Sequence, residues 1–274
     1  MPKQVDIEIF QIAKTEVNEA EVQRWLEYLG TNEFVIPDED QVSDPALLVA
    51  MAAKRCYMSF EPGLNPNVTK VRSDYVDYFD NILKSGHGSV LEHAVFSFAM
   101  EGISRVFTAE MNRHRAGWAI SEGSLRFIRF DKDIPYWVPT SLQENPNDDE
   151  DLAVRKAASR QVFDLAFRAQ ENFYKQLLST WDMEEGNHNF DYKKKVTSCL
   201  RRIIGMGVAT GGVWTGNVRA LRHVMTMRSS PAAEEEILHV FSRICKLMHD
   251  AEPLMFGDFY QDDNGFWRPT YVKV

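Results

Sequence analysis

Cysteine is scarce in this sequence, and its placement excludes a disulfide framework. The 274 residues include three cysteines, Cys56, Cys199 and Cys245, which are widely spaced and form no C-x-x-C pair. Disulfide-stapled domains and cysteine-rich metal sites need several closely placed cysteines. We therefore expect reduced thiols, and no metal site built on cysteine.

The sequence also lacks an excess of positive charge. Lysine and arginine total 31 against 40 aspartates and glutamates, which gives a formal net charge of −9. Proteins that bind nucleic acids generally carry a basic surface. The charge therefore argues against an RNA- or DNA-binding protein, and any local basic pocket would suit a small anionic ligand better.

Long apolar runs and a dinucleotide-binding motif are absent as well. No apolar run reaches membrane-spanning length, and the N-terminal residues do not form a signal peptide. The sequence contains no G-x-G-x-x-G, so a nucleotide cofactor would not be held by a dinucleotide-binding fold. We expect a cytoplasmic protein without a membrane partner.

Hydrophobic periodicity predicts a chain rich in helices with a few strands. The predicted strands cover about residues 5–9, 95–100 and 208–215, with a strand and turn over 127–137. The predicted helices cover about residues 18–30, 43–58, 73–86, 151–181, 192–206, 217–228 and 232–249, and a further helix capped by Ser104 carries Arg113. Residues 141–151 form an acidic linker that we expect to be disordered or to cap a helix. No repeat or clear domain boundary is visible, so residues 1–274 are predicted to be one domain with an N-terminal extension over about residues 1–44.

The stretch from Arg113 to Arg126 concentrates the groups that suit a phosphate site. It begins with Arg-His-Arg at a predicted helix end and continues through a glycine-bearing linker into Ser121-Glu122-Gly123-Ser124-Leu125-Arg126. Neighbouring helical residues point about 100° apart, so the three basic side chains fan around the helix end. The arginine fork matches phosphate geometry. For the triplet alone, simple cation placement at a helix C-terminus is the better interpretation, and the Ser-x-x-Ser-x-Arg tail favours a binding site.

Two further stretches carry similar chemistry. Gly86-His87-Gly88-Ser89 precedes Glu92-His93, and the flanking glycines expose the backbone for close approach. The alternatives here are a metal site or core histidines, although no third clustered ligand supports a metal. The segment 217–228 predicts a helix with Val218, Leu221 and Met225 on its packing face and Arg219, Arg222 and His223 on the other face. A solvated basic face is the alternative interpretation of that helix.

Taken together, these motifs resemble the flavin-dependent thymidylate synthases, the ThyX family. The resemblance rests on Arg113-His114-Arg115 followed by a spacer, Ser124 and Arg126, on the Gly-His-x-Ser…Glu-His run, and on Asn217-x-Arg219…Arg228. It covers about residues 45–130 and 195–240. It implies a mixed α/β (α+β) fold with a central, mostly antiparallel sheet flanked by long helices. The chain lacks the Pro-Cys pair of the classical thymidylate synthases, which attack uracil with a cysteine.

The resemblance also implies the activity and its site. The reaction is C5 methylation of a uracil nucleotide, dUMP or UMP, with FAD as cofactor and with NADPH and methylenetetrahydrofolate as co-substrates. Catalytic roles fall on Arg228, which would activate the uracil, and on Ser124. The implied nucleotide-binding residues are Glu110, Arg113, Glu122, Gly123, Ser124, Leu125, Arg126, Arg201 and Arg228. The implied flavin-binding residues are Cys56, His87, Ser89, Arg113, His114, Arg115, Ser121, Glu122, Asn217, Arg219 and His223.

Several positions depart from the family pattern. The spacer of eight residues, Ala116 through Gly123, is one longer than usual, and Glu110 stands where glutamine is usual. Glu110 could pair with Arg113 along the helix or accept a hydrogen bond from the nucleotide. Arg202 beside Arg201 leaves open which of them binds the nucleotide. Cys56 replaces a serine and could equally be a core residue.

These departures surround the nucleotide pocket, and they motivate alternatives. An enzyme with the altered pocket would accept UMP as well as dUMP. The alternatives are a strictly dUMP-specific thymidylate synthase and a catalytically silent oligomer that binds flavin or nucleotide. The family resemblance further implies a homotetramer with its sites at subunit interfaces.

Overall fold

The computed structural model describes residues 2–31, 34–130, 133–183 and 186–274. Within this part of the chain the helices α1 to α9 span Glu19–Leu29, Asp44–Tyr57, Tyr75–Lys84, Arg105–Met111, Glu150–Thr180, Phe190–Leu200, Val218–Arg228, Glu235–Ala251 and Pro253–Phe256. The strands β1 to β8 span Lys3–Gln4, Glu8–Lys14, Val95–Ser104, Trp118–Glu122, Pro135–Tyr136, Ala209–Asn217, Phe259–Gln261 and Trp267–Pro269. Short 3-10 helices cover Gly88–Glu92, Thr140–Leu142 and Arg201–Ile203.

A four-stranded sheet contains the long strands in the order β2-β3-β6-β4. The residue after β3, Arg105, donates to the carbonyl of Val208, which precedes β6, so the two strands run antiparallel. Gly123 likewise follows β4 and donates to Gly211 near the start of β6. Adjacent antiparallel strands pair by perpendicular hydrogen bonds of this kind. The predicted α/β class with an antiparallel central sheet is confirmed.

Contacts divide the chain into two compact units. The first unit comprises Met1–Phe10, Ala99–Arg113 and Ile120–Val213, and the second comprises Gln11–Phe98, His114–Ala119 and Trp214–Val274. The boundary separates Arg113 from His114, so the basic triplet contributes residues to both units. The single domain expected from the sequence remains a prediction.

The first unit is centred on the long helix α5. Its hydrophobic core includes Tyr136, which stacks on Phe167 with ring centroids 4.3 Å apart. The acidic linker before α5 is held to this helix: Lys156 pairs with Asp148, and Asp149 caps the first turn by accepting from the backbone N–H of Leu152. Capping satisfies an otherwise unpaired backbone donor. Of the two predictions for this linker, disorder or a helix cap, the structure shows the helix cap.

The second unit is built around α7 and α8, which pack against each other. Ser43 caps α2, as predicted, and its hydroxyl also donates to the buried carboxylate of Glu252 at 2.5 Å. Burial raises the pKa of Glu252, and the Ser43 bond opposes that shift. No helix in the described ranges is long and apolar enough to cross a membrane.

Several predicted boundaries were wrong. The strand expected over residues 5–9 begins only at Glu8, and the region 127–137 contributes just the pair Pro135–Tyr136, with Asp131 and Lys132 outside the described residues. The helix predicted to end at residue 206 stops at Leu200, where a 3-10 turn follows. Helix α4 ends at Met111, so Arg113 lies just beyond it. Local propensity sets the existence of an element more strongly than its ends.

The sequence placed Arg222 on the face of α7 opposite the packing residues, with a solvated basic face as the alternative interpretation. The structure instead buries Arg222 in the protein, so its expected exposure was wrong. The residue is 3% exposed. Its guanidinium binds both carboxylate oxygens of Asp258, at 2.6 and 2.8 Å, and donates to the carbonyl of Met255. It also lies 4.9 Å from the ring centroid of Phe259. The pair fastens α7 to the C-terminal hairpin β7–β8, whose antiparallel register aligns Tyr260 with Arg268.

Replacing Arg222 with alanine is expected to destabilise the second unit strongly. Removing one partner of a buried ion pair leaves the other charge uncompensated, at a cost of about 3–5 kcal/mol. Thermal unfolding monitored by circular dichroism should therefore show a clearly lower Tm. The control is Arg268→Ala, which removes the more exposed pair with Asp262 and should cost at most about 1 kcal/mol. Equal Tm values for the two variants would contradict the assignment.

Candidate active site

A cavity of about 740 Å³ in the first unit contains part of the predicted nucleotide site. Ser121, Glu122, Gly123 and Leu125 line one side of it, and the start of β6 lines another. The remaining lining residues are Val5, Asp6, Glu101, Gly102, Ile128, Phe130, Pro135, Ala209, Thr210, Gly211 and Gly212. The structure thus brings four predicted residues to one concave surface of the size that small ligands occupy.

Glu122 is held in place by two side chains that sequence reasoning missed. Arg105, the first residue of α4, forms a close ion pair with one carboxylate oxygen, and Asn112 donates to the other oxygen at 2.8 Å. Burial lowers the pKa of Arg105, the Glu122 charge opposes that shift, and the nearby Arg201 adds to it. The predicted nucleotide residue Arg201 therefore lies close to this ion pair. In the sequence, Ser104-Arg105 indicated only a helix start.

The segment after Glu122 forms a tight turn. The carbonyl of Ser124 accepts from the backbone N–H groups of Phe127 and Ile128, and its hydroxyl accepts from the N–H of Arg126 at 3.4 Å. A side chain at Gly123 would meet the hydroxyl of Thr210 at 2.8 Å, so glycine permits the close approach of this segment to β6. Arg126 itself is exposed.

The first unit also contains three other residues of the predicted nucleotide site, Glu110, Arg113 and Arg201. Glu110 is half-buried on the helix, and Arg113 follows its C-terminal cap, Asn112, with an exposed side chain. Arg201 begins the 3-10 helix after α6 and is also exposed. An exposed guanidinium group retains donors for an anionic ligand, although neither Arg113 nor Arg201 lines the cavity itself.

The second unit brings together three other predicted residues. Arg228, the last residue of α7, donates from Nε to Nε2 of His114 at 2.9 Å. The rings of His114 and His223 are 6.2 Å apart in an edge-to-face arrangement. Accepting this bond requires Nε2 of His114 to be unprotonated, which places the ring hydrogen on Nδ1. The histidine therefore fixes the direction of the Arg228 guanidinium.

Arg219 joins the two other predicted flavin motifs. Its guanidinium pairs with Glu92 at 2.6 Å and donates weakly to the carbonyl of Val274 at 3.4 Å. A side chain at Gly88 would stand 2.8 Å from Nε of Arg219, so only glycine allows this approach. His87 lies 3.4 Å from the hydroxyl of Tyr57. Ser89 in the same run is exposed.

Asn217 caps helix α7 and lies against Gly117, in the segment that follows the basic triplet 113–115. Its side-chain oxygen accepts from the N–H of Ala220 at 2.8 Å, and its amide nitrogen would be 2.8 Å from a Cβ at Gly117. Gly117 has a φ of 75°, in the left-handed region that favours glycine. The cap thus lies against the turn that follows the exposed Arg115.

The cysteines give the site no buried nucleophile. Cys56 is exposed, so its alternative interpretation as a core residue was wrong, and Cys199 is exposed as well. Cys245 is buried, which raises the pKa of its thiol to about 12. None of the three lines the first-unit cavity. Among the described residues there is also no cluster of histidine, cysteine and carboxylate side chains that could hold a metal ion.

Comparisons with known proteins identify the family to which the chain is similar. A family described as "Thymidylate synthase complementing protein" matches residues 38–254. A flavin-dependent thymidylate synthase of Mycobacterium avium (strain 104) is 30% identical over 240 residues, which cover 85% of this chain and 89% of the relative. A second relative with the same description, from Mycobacterium tuberculosis (strain ATCC 25177 / H37Ra), is 30% identical over 241 residues.

Solved structures share the fold. The ThyX of Helicobacter pylori with FAD and dUMP superposes with a TM-score of 0.57 at 19% identity, over 92% of this chain and 98% of that one. The UMP/dUMP methylase PolB of Streptomyces cacaoi, bound with 5-Br dUMP, gives a TM-score of 0.62 at 16% identity, over 94% and 96% of the two chains.

The chain therefore belongs to the family of flavin-dependent thymidylate synthases. The family and the enzyme class predicted from the sequence, a methyltransferase, are confirmed. The roles of individual side chains remain predictions.

Proposed function

We propose that this protein methylates C5 of a uracil nucleotide, dUMP or UMP, without a cysteine nucleophile. Methylenetetrahydrofolate would be the carbon donor, FAD the cofactor and NADPH the reductant. The observation that carries the proposal is Arg228, which His114 holds in a fixed direction within the predicted flavin set. Membership of the family supports the same reaction class.

The nucleotide would be held mainly by residues of the first unit. Glu122, Gly123 and Leu125 line the cavity of about 740 Å³, and Ser124 and Arg126 belong to the same segment of the chain. Arg113, Arg126 and Arg201 would supply the donors for the phosphate, because the guanidinium fork matches its oxygens. Glu110 would accept from the sugar or base. The ThyX of Helicobacter pylori, which has the same fold, is known with dUMP and FAD.

The flavin would be held mainly by residues of the second unit. Arg219, His87, Ser89 and Asn217 form a set of donors suited to an anionic cofactor, and Gly88 permits close backbone approach. When bound, the reduced flavin supplies the hydride. His114, Arg115, Ser121 and His223 complete the proposed set.

Arg228 would activate the uracil electrostatically. C5 of uracil is a weak nucleophile unless negative charge develops across N3, C4 and O4. A fixed guanidinium directed at the O2/N3 edge of the uracil would stabilise that charge without reorganising as the reaction proceeds. The thiol of Cys245 cannot substitute for it, since burial keeps that sulfur protonated at neutral pH.

The nucleotide preference and the assembly are further parts of the proposal. Glu110 and the longer spacer alter the pocket, and the UMP/dUMP methylase PolB shares the fold, so we propose that UMP is accepted as well as dUMP. We also propose a cytoplasmic homotetramer with sites at subunit interfaces. Exposed apolar residues on α5, among them Val154, Leu165 and Phe173, support packing against another copy.

A product assay tests this function. Purified protein is incubated with FAD, NADPH, methylenetetrahydrofolate and either dUMP or UMP, and the nucleotide is analysed by mass spectrometry. We expect a methylated product from both nucleotides. Product from dUMP alone in a competition assay would end the UMP proposal. A protein that binds FAD and nucleotide but yields no product from either would support the silent alternative.

A further inference from the structure

Arg105, which is not one of the predicted nucleotide-binding residues, contacts two of them. Arg105 donates from one terminal nitrogen to the carboxylate of Glu122 and from the other to the carbonyl oxygen of Gly123, and both contacts are close. The side chains of Arg105 and Glu122 are only 21% and 15% exposed. The fork of one guanidinium therefore spans a side chain and the backbone of consecutive residues.

The position of Arg105 is energetically unfavourable for a charged side chain. This indicates that Arg105 has a specific role there. Burial lowers the pKa of Arg105, and the positive charge of Arg201 lies near enough to lower it further. Its Nε is buried without a hydrogen-bond partner in the described part of the chain. An unpaired buried donor and a neighbouring like charge both disfavour the placement. The bonds to Glu122 and Gly123 are what compensate it.

Those bonds fix the nucleotide segment at its first two residues. The carbonyl oxygen of Gly123 accepts a hydrogen bond from Arg105. The backbone N–H of Gly123 donates to the carbonyl of Gly211 on β6 at 2.9 Å. Both polar groups of this peptide backbone are therefore anchored to rigid elements, α4 and β6. Ser124 follows immediately, and its turn sets the direction of Arg126.

We propose that Arg105 is a positioning residue for nucleotide binding, acting through Glu122 and Gly123 and not by contacting the nucleotide itself. This inference rests on the proposed function, since it assigns Arg105 to the same site. We call the two contacts of Arg105, with Glu122 and with Gly123, the clamp. With the clamp in place, the segment 122–126 is ordered before the nucleotide binds. Loss of the clamp adds the entropy cost of ordering this segment to the binding step.

The first test needs no substrate. Hydrogen exchange, measured by mass spectrometry on the free protein, is compared between wild type and Arg105→Gln for peptides covering residues 121–128. We expect exchange there to accelerate about 10- to 100-fold, the range for losing a hydrogen bond to a charged group. Peptides of α8 should be unchanged. Unaltered exchange at 121–128 would overturn the clamp whether or not the proposed function holds.

The second test is kinetic. Arg105→Gln should raise the KM for dUMP or UMP about 10- to 100-fold with a smaller change in kcat. The KM of Arg105→Lys should lie between those of wild type and Arg105→Gln. An ammonium group can pair with Glu122 but lacks the guanidinium fork that also reaches Gly123. The matched control is Arg160→Gln, which removes another arginine–glutamate pair of the first unit, with Glu144, and should leave KM unchanged.

A double variant separates positioning from direct contact. If Arg105 acts through Glu122, then Arg105→Gln with Glu122→Gln should be little worse than the poorer single variant, since the two changes break one interaction. Additive losses would show that Arg105 contacts the nucleotide independently and would overturn the proposal. If Arg105→Gln does not fold, Arg105→Lys carries both measurements.

Discussion

Replacing Arg228 with alanine is expected to slow methylation about 10²- to 10³-fold and to leave the flavin bound. Losing one fixed donor at the place where charge develops has that effect in other enzymes. The variant would be compared with wild type for methylated product in single-turnover reactions and for flavin absorbance after gel filtration.

The contact with His114 predicts that activation depends on a fixed guanidinium and not just on a positive charge. Arg228→Lys keeps the charge but loses Nε, which donates to His114 at 2.9 Å, and it lacks the planar fork. We therefore expect this lysine variant to retain flavin and to recover only part of the rate. Near-normal turnover in Arg228→Ala would refute the activating role, whereas loss of flavin would reassign Arg228 to cofactor binding.

Replacing Arg219 with alanine is expected to weaken FAD binding about 10- to 100-fold, because a charge-assisted hydrogen bond to the cofactor is lost. The purified variant should be colourless where the wild type is yellow. Titration with FAD, followed by flavin fluorescence, gives the Kd for each protein. The fold should tolerate the change, since the pair with Glu92 is about half-exposed and such pairs contribute at most about 1 kcal/mol.

Two further variants make this test specific. Gly88→Ala would place a methyl group 2.8 Å from Nε of Arg219 and 2.6 Å from the backbone carbon of Val274, so it should weaken FAD binding by displacing Arg219. Arg24→Ala removes an exposed pair with Glu21 in the same unit and should leave the Kd unchanged. A yellow, FAD-saturable Arg219→Ala protein would show that the flavin is held elsewhere.

Much of the fold followed from local patterns. The start of α2 was predictable because Ser43-Asp44-Pro45 combines a cap with proline in the first turn. The long helix α5 lies within one residue of its predicted limits, since its caps and length leave little alternative. The region 127–137 was predicted wrongly because its apolar residues serve the core of the first unit as a largely irregular segment. Tertiary packing overrode propensity there.

The site was predicted unevenly for a related reason. Residues that are contiguous in sequence, such as 121–125, were grouped correctly because neighbours in the chain stay together, and four of these five line one cavity. Arg105 was missed because its partner Glu122 lies 17 residues further along the chain. Arg222 was misplaced because the helical period identifies a face but cannot show that Asp258, 36 residues later, will bury it.

The sequence by itself determined the family and the enzyme class, because these depend on which residue types occur at which spacing. It also predicted a site rich in guanidinium groups, which stays a prediction. Only the tertiary structure decided which charged side chains hold the site together and which remain exposed for a ligand. Ion pairs such as Arg105–Glu122 and Arg222–Asp258 join positions on different elements. Their burial, and hence their role, exists only once those elements pack.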